Sequence, residues 1–213
     1  MNERHEHIPD KTEISHTTVR ELLTEMKDIS EVIVDLAYAA IMFDSEEIAE
    51  EVSHLEERIH TLNYEIRIKA MLSARTYNDA VKIAGLLQVA AAAESISNAA
   101  GDIVTLSDVD PSKKPFLSFV LKEAEEKIRR LTISEGSDMI SRSIADLSIE
   151  AETGMRVIAI KRGKRWIYDP EGTTLLKSGD IIIVRGTESG SETLRRYASG
   201  EIKWPVYPVA EEE

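Results

Sequence analysis

Carboxylates recur at helical ligand spacing in the first half of this chain, and they are the side chains best placed to do chemistry there. Glu31 and Asp35 lie four apart, as do Glu94, Asn98 and Asp102. On a helix each set shares a face. Glu51-x-x-His54 and Glu57-x-x-His60 add the Glu-x-x-His spacing used by di-iron bundles. Oxygen and imidazole donors of this kind suit a hard or borderline metal. A di-metal bundle, however, draws its two Glu-x-x-His motifs from different helices, and here one segment carries both. Acidic, solvated helix faces also produce such neighbours by chance, and on spacing alone that reading stands ahead.

The second half offers a different group: Lys161, Arg162, Lys164 and Arg165 beside Trp166. Guanidinium forks suit phosphate oxygens, so a phosphate-bearing small ligand is one use for the cluster. A solvated hairpin tip whose charges blunt a sheet edge is the other, and spacing slightly favours it. Little else is catalytic. Neither G-x-G-x-x-G nor G-x-x-x-x-G-K-[ST] occurs, and the histidines are confined to positions 5, 7, 16, 54 and 60. No cysteine is present, which excludes disulfides, thiolate metal sites and thiol nucleophiles. The expectation is a protein that is not an enzyme.

The elements that must carry these residues divide the chain. Leu22, Met26, Ile29, Ile33, Leu36, Ala40 and Phe43 recur at alternating gaps of four and three, a helical stripe. Asp44, with Glu47 three residues on, reads as the cap of a second helix whose stripe is Ile48, Val52, Leu55, Ile59, Leu62 and Ile66. A third helix is expected from Tyr77 to Leu106. Each has about 27–30 residues and spans roughly 40–45 Å. Short links then specify an up-down-up bundle, completed by a fourth helix or a second chain. Phe116, Val120, Ala124, Ile128 and Leu131 read as a linking helix over 111–131.

Beyond it the pattern changes to short apolar runs and turns. Met155–Ile160 and Lys164–Tyr168 flank an Arg162-Gly163 turn, a β-hairpin. Ser178-Gly179-Asp180 opens Ile181–Val184, a run apolar enough for a central strand. Ser191–Tyr197 reads as a short helix. The fold class expected is therefore two domains: an all-α three- or four-helix bundle over 14–110, then a small α+β module over 132–200, with tails at 1–13 and 205–213.

Composition agrees. Of 213 residues, 26 are basic and 39 acidic, a net charge of −13. Residues 1–131 hold 25 of the acidic and 15 of the basic groups, so the helical part carries most of it. Such acidity, with 5% aromatic residues, argues against a nucleic-acid partner. The polar start MNERHEHIPDKTE and the shortness of the apolar run Leu86–Ala93 give no signal peptide or membrane-spanning segment. A cytoplasmic protein is expected, at the membrane only through a partner.

Two stretches resemble known families. SEVIVDLAYAAIMFDSEEIAEEVSHLEERIHTLNYEI, together with AAAAESISNAAGDI, is similar to a PhoU-like helical domain. The array TGMRVIAIKRG…LLKSGDIIIVRGTE, with Glu135-Gly136-Ser137 and Ile144–Leu147, resembles the TrkA C-terminal (RCK-C) domain of potassium-transport regulators. The pairing resembles archaeal-type accessory proteins related to potassium channels. The first resemblance implies an acid-x-x-x-Asp metal motif, which Glu31 and Asp35 match. Asn98 replaces the acid expected after Glu94, and Asp102 lies one turn on; iron, nickel or zinc is the implied metal. The second implies a homodimer that senses a small ligand, such as a cyclic di-nucleotide, between subunits through Val157, Ile158, Ala159, Ile160 and Arg162. The function expected is regulation of cation, especially potassium, transport, with a membrane channel or transporter as partner. A metal-binding bundle in phosphate signalling or metal handling is the alternative.

Overall fold

The computed structural model describes residues 17–106 and 127–205. Three long antiparallel helices come first: α1 (Val19–Met42), α2 (Glu46–Ser73) and α3 (Tyr77–Thr105). Thr18 and Thr76 cap α1 and α3 through reciprocal boxes with Glu21 and Asp79, satisfying amides that no helical carbonyl reaches. The α2 cap is Ser45, not Asp44: Ser45 is extended and accepts from the Ile48 amide. Asp44 instead takes a left-handed turn at φ 48°, which reverses the chain. The two apolar stripes read from sequence meet, and Ile33, Leu36, Val52, Ile59, Leu62 and Ile66 are fully buried.

The second module contains β1 (Lys127–Thr132), α4 (Ile144–Leu147), α5 (Ile149–Thr153), β2 (Met155–Arg162), β3 (Arg165–Tyr168), β4 (Ile181–Gly186) and α6 (Glu188–Ser199). Its sheet runs β1-β4-β2-β3, antiparallel throughout. The central place expected for Ile181–Val184 is realised in β4. The linking helix does not extend over Lys127–Leu131, which pair with Gly186–Ile182 of β4; the rest of that segment, with Pro111 and Pro115, lies outside the described residues. Arg129, Leu131 and their neighbours alternate between faces, and that period of two prevails over the four-residue gaps. Helix α6 is longer than expected and starts close to α5. A Cβ at Gly190 would strike the Thr153 carbonyl, so only glycine admits that approach.

Each sheet face has its own core. Val157, Ile160, Ile182 and Val184 pack with Leu147, Ile149, Leu194 and Trp204. Ile128, Ile158, Ala159 and Ile183 turn the other way and join the core of the helical bundle. By length and composition α3 is apolar enough to cross a membrane. The sequence expectation counted only the run Leu86–Ala93 with Gln88 inside it, whereas a longer window also accepts Glu94. Here α3 packs along α1 and α2 as a bundle helix.

Candidate functional site

The face of the sheet that meets the bundle is where functional side chains from both modules converge. On β2 a bulge between Val157 and Ala159 changes the alternation. As a result Val157 and Ile160 enter the module's own core, while Ile158 and Ala159 face the helices. All four are at most 5% exposed. The run Val157–Ile160 is thus divided between two sheet faces.

A ring of cations surrounds the bundle-facing half. Arg156 and Lys161 flank Ile158 and Ala159 on β2, and Arg185 follows Ile183 by two on β4, which puts it on the same face. Each meets a carboxylate from the helices. Arg185 Nη1 donates to both oxygens of Asp35 at 3.0 and 3.2 Å. Arg156 lies 3.9 Å from Glu31 and donates to Asp169 at 2.9 Å. Lys161 pairs with Glu47, and Tyr168 donates its hydroxyl to Glu51. Trp166 and Tyr168 stack with nearly parallel rings beside this contact and pack on the bundle core. Neither Arg156 nor Arg185 was selected from sequence, although each sits two residues from an inward isoleucine, the signal that would have found it.

Arg162 points to the opposite face. Its guanidinium clasps Asp180, Nε to Oδ1 at 2.8 Å and Nη2 to Oδ2 at 2.7 Å, and Nη2 also reaches the Leu175 carbonyl at 2.8 Å. The Asp180 side chain is 1% exposed. The pair holds the arginine proton more tightly than usual. The structure therefore does not bring Arg162 together with Ile158 and Ala159. Lys164 and Arg165 are exposed at the hairpin tip.

The bundle carboxylates do not fit a shared metal. Glu31 pairs with Lys27 at 2.8 Å as well as with Arg156, and Asp35 is held by Arg185. Glu94 lies between α2 and α3, within 3.0 Å of His60 Nδ1 and accepting from Asn63 Nδ2 at 2.5 Å. Asn98 and Asp102 are exposed on α3. His54 is 3.9 Å from Glu51, and Glu57 faces solvent. Among the described residues no three Asp, Glu or His side chains stand together as a ligand set.

Burial raises the Glu51 carboxyl above its ordinary value near 4.5. The folded state therefore favours the proton. The stability this supplies is complete below that ordinary value and is lost as pH rises through the folded one. Glu51→Gln keeps an acceptor for Tyr168 without a charge to desolvate. Its melting temperature at pH 7 should equal or exceed wild type, by less than about 1 kcal/mol of stability. The advantage should vanish near pH 4, as thermal melts at the two pH values would show.

Comparisons with known proteins place these modules. Residues 128–199 match the model of the TrkA-C domain, and residues 23–106 that of the PhoU domain. Potassium channel protein 1 of Methanocaldococcus jannaschii is 30% identical over 93 residues, 43% of this chain and 28% of that one. The Ktr system potassium uptake protein C of Bacillus subtilis is 35% identical over 65 residues, 30% of this chain and 29% of that one. The chain thus spans less than a third of either curated relative. A solved RCK C domain of the potassium transport protein KtrA, in complex with cyclic diadenosine monophosphate, is 34% identical, with 38% of this chain and 94% of that one covered and a TM-score of 0.33. Residues 23–106 are a PhoU domain and residues 128–199 a TrkA-C domain, joined in one chain.

Proposed function

We propose that this protein is a non-enzymatic regulatory subunit of potassium transport, in which the TrkA-C sheet senses an anionic small ligand and the PhoU bundle reports its presence. The TrkA-C match of the second module and the similarity of the chain to potassium channel and uptake proteins support the transport role. One observation carries the sensing role: an apolar strip, Ile158, Ala159 and Ile183, ringed by Arg156, Lys161 and Arg185 and covered by carboxylates of the bundle. Apolar surface edged by cations suits a molecule with flat bases and phosphates, and a cyclic di-nucleotide is such a molecule. Glu31, Asp35 and Glu47 stand where its phosphates would pair. Ligand and bundle therefore compete for one face, which would couple occupancy to the position of the helices. A second subunit across the released strip would complete the site, and a membrane channel or transporter would read the helices.

Competition gives a definite test. In the closed form apparent affinity is reduced by the fraction of molecules whose strip is open. Neutralising the bundle with Glu31→Gln/Asp35→Asn should raise that fraction and tighten cyclic di-AMP binding at least about tenfold in titration calorimetry, a coupling of about 1.4 kcal/mol. Absence of heat for both wild type and the double variant, at concentrations that saturate a known binder, would remove the sensing role.

A further inference from the structure

α3 presents a second apolar seam that the described chain leaves largely exposed, only its last residue, Ile103, packing in part on the bundle core. Gly85, Val89, Ala92, Ile96, Ala99 and Ile103 follow one another at gaps of four, three, four, three and four. The heptad thus alternates small and large residues along one line. This line lies away from the buried face of α3, which is made by Ala90, Ala93, Ser97 and Ala100. Val89 is 62% and Ile96 43% exposed, and Glu94, the one charged residue between Lys82 and Asp102, is turned toward α2.

Gly85 is the informative residue. A glycine inside a helix costs about 0.5–1 kcal/mol relative to alanine. At Gly101 the approach of the Glu56 carboxylate explains it, since a Cβ there would collide. At Gly85 a Cβ would meet nothing within 4 Å. Among the described residues nothing packs there to require glycine, so the space suits a side chain from outside them.

We infer that α3 pairs with α3 of a second copy of this chain, antiparallel about a two-fold axis near the centre of the helix. The seam is self-complementary in this arrangement. Val89 packs over the partner's Ala99 and Ile96 over the partner's Ala92, while the exposed edge of the half-buried Ile103 borders the gap above the partner's Gly85. From Val81 to Leu106 the strip is roughly 38 Å long, and half a helix circumference makes it about 16 Å wide. It would bury about 600 Å² per copy, or ~1,200 Å² in total, which reaches the range of specific interfaces.

The absence of cysteine makes the test direct. Ser95→Cys and Ala80→Cys, each a single exposed site on α3, take nitroxide labels in the full chain. Antiparallel pairing puts the two Ser95 sites under about 25 Å apart, across helices spaced 8–10 Å. The two Ala80 sites then stand about 42 Å apart along the axis. Electron-electron dipolar spectroscopy reads both distances, and Gly85→Leu should abolish the short one while leaving helicity unchanged by circular dichroism. Three results would overturn the pairing: monomeric protein with no interchain distance, as when residues 107–126 cover the seam; a dimer whose Ser95 sites are far apart, as when only the TrkA-C modules associate; or binding of α3 to lipid vesicles in place of the short distance. The second of these would leave the sensing role intact.

Discussion

Asp180→Ala should be among the most damaging single substitutions in the second module, costing about 3–5 kcal/mol. The carboxylate is buried, and both of its oxygens are used: Oδ1 accepts from Arg162, and Oδ2 from Arg162 and from the Lys177 amide at 2.8 Å. Alanine would strip the Lys177 amide of its acceptor and leave the Arg162 guanidinium with only the Leu175 carbonyl. The Arg162 arm also ties the end of β2 to the Leu175 carbonyl, so the strand, the Ser178-Gly179-Asp180 turn and the start of β4 would loosen together. Asp180→Asn retains one acceptor but not the charge, and should fall between alanine and wild type. Both tryptophans, Trp166 and Trp204, lie in this module, so their fluorescence in a urea titration reports its unfolding. A midpoint within error of wild type for Asp180→Ala would show that the pair contributes no net stability.

Reversing one charge at the junction, Arg185→Glu, should detach the bundle from the sheet at a cost of about 2–4 kcal/mol of docking free energy. The Asp35 side chain is 13% exposed and faces Arg185 directly, so a glutamate there would set like charges together where solvent screens them poorly. Ile158, Ala159 and Ile183 would then lose their cover. Small-angle scattering should show a larger radius of gyration, and cyclic di-nucleotide affinity should change with it. Adding Asp35→Arg restores an opposite pair with inverted sign and should return the compact form. An unchanged scattering profile for Arg185→Glu would mean that apolar contact alone holds the modules. Recovery in the double variant would separate the ion pair from general damage to β4.

Both substitutions concern contacts that sequence reading approached from the wrong side. Glu31 and Asp35 share one face of α1, as their spacing requires. Their ordinary spacing could not show that arginines from residues 156 and 185 would meet them. A ligand set and an ion-pair face have the same signature along one helix, and only the opposing element tells them apart. Arg162 was selected as a cation free to meet phosphate, and it clasps Asp180, eighteen positions away. Of the two Glu-x-x-His spacings, Glu51 and His54 are neighbours, while His60 turns to Glu56 and Glu94 and not to Glu57.

Local order was legible in the chain because it depends on near neighbours. The heptad stripes of α1 and α2, the Gly163 turn of the hairpin and the apolar run of β4 each follow from a period or a turn residue within a few positions. So did the two modules and their resemblances, since a change from a period near 3.6 to one of two is visible without knowing any contact. The strand at Lys127–Thr132 was missed because its residues satisfy a helical spacing equally well, and pairing with β4 decided between them. The division of Val157–Ile160 between two cores depended on a bulge, which one strand's sequence does not specify without its partner's register. Tertiary structure alone decided what faces what. It turned the acidity of the helices into a complement for the cations of the sheet, and among the described residues it left one seam of α3 largely exposed.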